Sequence, residues 1–178
     1  MELYLHSDRS TELKEGDILR NTVYPKSNHV IGLLCPLIDP HFVNNIIGIY
    51  EKGISYHGHA YLVSPVGFNN WAIEIYFEYI RYKEFPHMPS RFQCVFGWED
   101  INDAIEFNGT SPIFQIASES GHHKADMNLL GLDPDPVVKH DKAAKYWKGE
   151  PMSNDAHYKP VWEYVINTPV TVLNRIKL

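Results

Sequence analysis

The chain predicts an α+β fold in a single compact domain over residues 1–178. Two segments, near 39–53 and 70–83, carry helical apolar periodicity. Short strand-like runs are scattered through the chain and gather toward its end. The regular strand–helix–strand alternation of a parallel α/β sheet is missing.

Leu3-Tyr4-Leu5-His6 reads as a first strand, with Leu3 and Leu5 on one face and Tyr4 and His6 on the other. Ser7-Asp8 breaks it, and Leu13 to Leu19 reads as a turn into a short extended piece. Residues 20–31 show no period and read as loop. Asp39-Pro40 is a helix start, an aspartate cap followed by proline at the first helical position. Phe42, Val43, Ile46, Ile47 and Tyr50 then form one apolar stripe that ends at Gly53. His57 and His59 fall in a segment that reads as extended, running to Tyr61-Leu62-Val63 and closed by Ser64-Pro65. The second helix spans about Asn70 to Lys83. Glu74, Glu78 and Arg81 make a narrow polar stripe on an otherwise apolar cylinder, which predicts burial on two or three sides.

From Phe85 to Phe107 the sequence resembles the middle of a ligand-holding α/β unit, or plain scaffold. Pro86 and Pro89 forbid a regular helix. Ser90-Arg91 leads into a strand, Phe92 to Phe96, which stops at Gly97. Glu99 and Asp100 place negative charge at the start of a short helix. Ile101, Ala104 and Ile105 line one side of it, and Asn108-Gly109 ends it. Pro112 to Ala117 is another strand. Ser118 to Lys124 reads as a polar loop, followed by a short helix after Asp126. Asp133-Pro134-Asp135-Pro136 reads as a turn or extended link, and Asp141 as the cap of a helix ending before Gly149. Val161–Ile166 and Val170–Ile176 are the last strands.

Hydrophobic residues make up 44% and charged residues 21%, which is ordinary globular composition. A formal charge of −6 disfavours a general grip on nucleic-acid phosphates, which needs a dense basic face. Aromatic content of 13% suits a ring-lined pocket or a packed core. Cys35 and Cys94 sit in apolar runs and read as buried free thiols. No run is long enough to span a bilayer, and Met1 to Tyr4 lacks signal-peptide character, so cytoplasm is the expected location. Walker, GxSxG, GxGxxG and paired CxxC patterns do not occur.

Several residues admit two readings. His6 is a satisfied core residue or a ligand contact. His57 and His59 would face one way on a strand, which suits metal ligation. His122-His123-Lys124 is a solvated loop or a set of donors to phosphate. Arg91 is an ion-pair partner or an anion clamp. Asp126 is a helix cap, or a carboxylate that stabilises positive charge at an anomeric carbon.

The order of segments resembles the ADP-ribosyltransferase fold, and most closely the compact rifamycin ADP-ribosyltransferases. Leu3-Tyr4-Leu5-His6-Ser7 is similar to their aromatic-then-His strand, and Leu13-Lys14-Glu15-Gly16-Asp17-Ile18-Leu19 to their LxxGDxL stretch. Val95-Phe96-Gly97 with Ala104 is similar to the second motif, and Ile113–Ile116, Gly121 and Asp126 follow the order of the third. Val95 stands where that family has tyrosine, and Ser7-Asp8 where it has Gly-Thr. The PSR-x-x-C-x-F and H-x-A-D-M stretches also look like a family of small bacterial and phage proteins without an assigned function.

The resemblance implies two small mixed or antiparallel sheets around a cleft that binds NAD, with flanking helices. His6 would hold the ribose and the nicotinamide end. Ser90 and Arg91 would fix ribose and diphosphate, with His122 and His123 as further donors. Phe96 or Tyr4 would stack on nicotinamide, and Asp126 would assist glycosidic cleavage. ADP-ribose would pass to a protein, nucleic-acid or small-molecule acceptor. Two alternatives stand beside this: a non-catalytic nucleotide- or partner-binding module of the same fold, and a metal-dependent hydrolase using His57, His59, His122 and His123.

Overall fold

A computed structural model describes residues 2–8, 12–24, 39–63, 68–108 and 111–177. Two antiparallel sheets form its frame. The larger holds β1 (Glu2–Ser7), β4 (Ile113–Ser118), β7 (Val170–Arg175) and β2 (Ile18–Leu19), in that spatial order. The smaller runs β3 (Cys94–Gly97), β6 (Trp162–Asn167), β5 (His122–Asp126). The sheets meet where Leu5 and Trp98 exchange both backbone hydrogen bonds, at 2.7 and 2.8 Å. Tyr4, Val95, Ile116, Tyr164 and Val172, drawn from five strands, form a shared core.

Helix α1 (Pro40–Lys52) starts as the sequence predicts. Asp39 Oδ1 accepts the His41 N–H at 2.9 Å, and Gly53 closes the helix at φ 111°. Its buried stripe is Phe42, Ile46, Ile49 and Tyr50. The next segment departs from expectation: α2 (Tyr56–Val63) is a helix, not a strand. Ser55 starts it, its Oγ accepting from the Gly58 N–H at 3.0 Å and its carbonyl from the His59 N–H at 2.8 Å. That cap outweighs the extended preference of the aromatic and branched residues.

Helix α3 (Phe68–Glu84) is the prop predicted for 70–83, but its charged stripe points inward: Glu74, Glu78 and Arg81 are all buried. Each is tolerated because it is paired. Arg81 Nε donates to Glu78 Oε1 at 2.8 Å, and Ser90 Oγ donates to the same oxygen at 2.9 Å. Burial nevertheless holds the Glu78 carboxyl above its ordinary range, outweighing the pull of Arg81.

Helix α4 (Ile101–Asn108) follows β3. Residues 122–126, expected as the end of a polar loop and the lead into a helix, instead pair with β6 over the full length of β5. Met127–Leu129 then forms one 3₁₀ turn capped by Asp126. Helix α5 (Pro136–Lys148) begins earlier than the predicted Asp141 start, because Asp135 caps it with Pro136 at the first position. Gly149, at φ 71°, ends it. In β1 the buried face is Tyr4 and His6, while Leu3 is exposed. Cys94 is a buried free thiol whose pKa burial pushes well up. Cys35, residues 25–31, Ser64-Pro65 and Gly109 lie outside the described residues. Among the described residues no helix is long and apolar enough to cross a membrane.

Candidate functional site

The junction of the two sheets opens into a cleft of about 310 Å³. Such a volume lies at the low end of the roughly 300–1,000 Å³ typical of ligand pockets. His6 and Ser7 reach it from the end of β1, Phe96 from β3 and Trp98 from just beyond it. Glu74 enters from α3, Arg91 from the turn before β3, and Glu163 from β6. Rings of Tyr61 and Phe107 complete the wall.

Arg91 is the hub. Its Nε and Nη2 donate to the two oxygens of Glu74 at 2.7 and 2.8 Å, and Nη1 donates to Glu163 Oε1 at 2.8 Å and to the Tyr146 hydroxyl oxygen. Tyr146 in turn donates to Glu163 Oε1 at 2.6 Å. The guanidinium carbon sits 4.5 Å from the centre of the Phe96 ring. Burial works against the arginine's charge, but Glu74, Tyr146 and Glu163 outweigh it and hold its pKa well above the ordinary value. The ion-pair reading of Arg91 is therefore realised, with a bidentate fork against a carboxylate.

His6 is also fully engaged. The Phe96 carbonyl lies 2.7 Å from Nδ1, which must carry the proton, so Nε2 accepts from the Tyr56 hydroxyl at 2.7 Å. Burial lowers its pKa, against the opposing effects of the Phe96 carbonyl and Asp8, and favours the neutral ring.

Of the candidate site residues singled out in the sequence, the cleft gathers His6, His57, Arg91 and Phe96. Ser90 lies beside it in the Glu78 network. Tyr4 and His122 form a separate group with Glu2: Tyr4 Oη donates to Glu2 at 2.7 Å and meets His122 Nδ1 at 2.9 Å. His123 stacks on Trp147 and donates from Nε2 to the Tyr146 carbonyl at 2.8 Å. Asp126 is outside the cleft lining and buried. It accepts backbone N–H groups of Asn128, Met152 and Val161 and the Tyr158 hydroxyl, at 2.5–3.2 Å. That carboxylate fastens the chain between α5 and β6.

The metal-hydrolase alternative required His57 and His59 on one strand face. On α2 they diverge, His57 toward His6 and Phe96, His59 onto Tyr24 at 3.8 Å. Among the described residues no group of three or more His, Cys, Asp or Glu is placed to hold a metal ion.

Ser7, Trp98 and Glu163 are cleft residues that the sequence did not mark as a site, and Glu74 stood out only as part of the polar stripe on its helix. Glu163 had a signal, a lone acid inside the apolar run Trp162 to Ile166. Ser7 Oγ and Trp98 Nε1 are buried with no hydrogen-bond partner among the described residues.

An α+β frame of two antiparallel sheets with a buried acidic, ring-lined cleft at their junction defines the class. The chain belongs to a family described as proteins of unknown function (DUF2441), whose model matches residues 41–178. No curated protein matches it. The matched span includes Glu74, Arg91, Phe96, Trp98 and Glu163, while His6 and Ser7 precede it.

Proposed function

We propose that the cleft takes the nicotinamide end of NAD and that the protein is an NAD-dependent mono-ADP-ribosyltransferase. Its acceptor is a protein, a nucleic acid or a small molecule. One observation carries the reading: two buried carboxylates face one guanidinium among aromatic rings. Glu74 and Glu163 contribute −2 and Arg91 +1, a formal sum of −1, beside a histidine favoured in its neutral form. A pyridinium cation gains from that excess and from the ring faces. A diphosphate would be repelled, so this reading uses Arg91 to position the carboxylates and keeps the diphosphate off the cleft floor. The likeness of segment order to rifamycin ADP-ribosyltransferases, with a histidine on the first strand, supports it.

In the reaction the bond from C1′ to the pyridinium nitrogen breaks and its electron pair leaves with nicotinamide. C1′ carries the transient positive charge, and the acceptor's nucleophile bonds to C1′ as its proton passes to solvent. Glu163, in place of Asp126, stabilises that charge. Its Oε1 is fixed by Arg91 and Tyr146, so the carboxylate needs little reorganisation as charge develops.

The test is NAD binding by calorimetry and nicotinamide release in the presence of cell extract. Glu163→Gln removes the excess negative charge, so it should weaken NAD binding and also slow turnover of bound NAD about a hundredfold or more. Absence of both binding and release overturns the reading. Binding without release in the unaltered protein supports the non-catalytic module instead.

A further inference from the structure

We infer that the face of α3 turned away from the cleft carries a second site, which takes a planar aromatic ring bearing one carboxylate. This stands apart from the NAD reading, because the two hollows share no lining residue.

Asn70, Ile73 and Glu74 line the cleft from α3, whereas Trp71, Ile75, Tyr76 and Tyr79 line a hollow of about 560 Å³. At about 3.6 residues per turn the two sets fall on opposite sides of the helix. Leu132, from the turn before α5, and Lys139, from α5, complete the lining together with Asp39. The volume is ordinary for a small-molecule pocket. Its groups are open to a ligand: Trp71, Tyr76, Tyr79 and Lys139 are half-buried, and Leu132 is 40% exposed. The Tyr79 ring is backed edge-on by Phe42 of α1, with 5.2 Å between ring centres.

Charge selects the ligand. Lys139 Nζ sits 4.9 Å from the centre of the Tyr76 ring and Lys83 Nζ 5.7 Å from that of Tyr79. Two ammonium groups thus already hold ring positions that a cationic ligand would need. Asp39 is answered by Lys83 at 2.5 Å. The neighbouring acids are engaged as well, Asp133 with Lys142 at 3.2 Å and Glu84 with His140 at 2.7 Å. Lys139 has no ion pair or hydrogen bond among the described residues, so its charge is left for a ligand. A single point charge suits a monoanion, and three rings suit a flat aromatic body.

Calorimetric titration of the full chain with 2-naphthoate and with 2-naphthamide varies the charge at nearly constant shape. Naphthoate should bind about fivefold more tightly than the neutral amide. Lys139→Gln, confirmed as folded by thermal melting, should bring naphthoate to the amide's affinity and leave the amide unchanged. Leu132→Asp, at an exposed position, should weaken naphthoate about fivefold or more. If Lys139→Gln does not fold, the ligand pair and Leu132→Asp still decide. Naphthoate binding no tighter than the amide, binding that neither variant alters, or no binding at millimolar ligand overturns the inference.

Discussion

Replacing Arg91 with methionine tests the charge cluster most directly. Methionine retains an apolar stem against Phe96 but removes the guanidinium that answers Glu74 and Glu163, both 5% exposed or less. Removing one partner of a buried pair costs about 3–5 kcal/mol, because a desolvated carboxylate is left behind. Two carboxylates are stranded here, but either can take up a proton, so the loss should stay within about 3–5 kcal/mol and not double. For a domain of this size that lowers the melting temperature by about 10 °C. Urea unfolding of wild type, Arg91→Met and the triple variant Arg91→Met/Glu74→Gln/Glu163→Gln measures it. The triple variant should regain about 2 kcal/mol, since amides tolerate burial better than unpaired carboxylates. A single-variant loss below about 1 kcal/mol, or a triple variant no more stable than the single, refutes the reasoning.

Acidification should destabilise the fold through His6 and His123, whose pKa values burial lowers below 6.5. Between each lowered value and 6.5 the unfolded chain binds more protons than the folded one. Stability therefore falls as pH drops through 6.5, by up to about 1.4 kcal/mol per pH unit for each histidine. Glu78 acts with the opposite sign above pH 4.5. Urea midpoints from pH 7.5 to 5.5 report the net slope, and His123→Gln, which keeps a donor toward the Tyr146 carbonyl, should flatten it. Asp126→Ala should cost about 3 kcal/mol in denaturant titrations by freeing three backbone N–H groups and Tyr158, yet leave NAD affinity within about twofold. Lost turnover at unchanged stability would return the charge-stabilising role to Asp126. Gly58→Ala should destabilise by about 1–3 kcal/mol despite alanine's helix preference, because the new Cβ would sit 2.2 Å from the Phe92 carbonyl oxygen; a gain in melting temperature would contradict that packing.

Local chemistry announced much of this fold. Asp39-Pro40 with Gly53, and Pro112 to Ala117 with the two final runs, are signals that act within a few residues. They place α1, β4, β6 and β7 within a residue or two. Misreadings arose where a distant partner decided the outcome. His122 and His123 read as loop because β5 gains its order from β6, some forty positions later. The stripe Glu74, Glu78, Arg81 read as a polar stripe whose burial could not be foreseen, because the partners that complete it beyond the Arg81–Glu78 pair, Ser90 and Arg91, lie outside the helix. Arg91 was legible as an ion pair or a clamp, and the carboxylates that choose between those readings lie seventeen and seventy-two positions away. Asp126 was legible as a cap, but the reach of Met152, Tyr158 and Val161 to it was not.

The hub at Arg91 joins a helix, a turn, a later helix and the middle strand of the smaller sheet. During synthesis the guanidinium leaves the ribosome after Glu74 but before Tyr146 and Glu163 exist. A nascent chain therefore carries a balanced one-to-one pair, and the surplus negative charge appears only once the stretch holding Glu163 has emerged. A fragment ending before Trp162 would lose that surplus together with the central rung of its sheet.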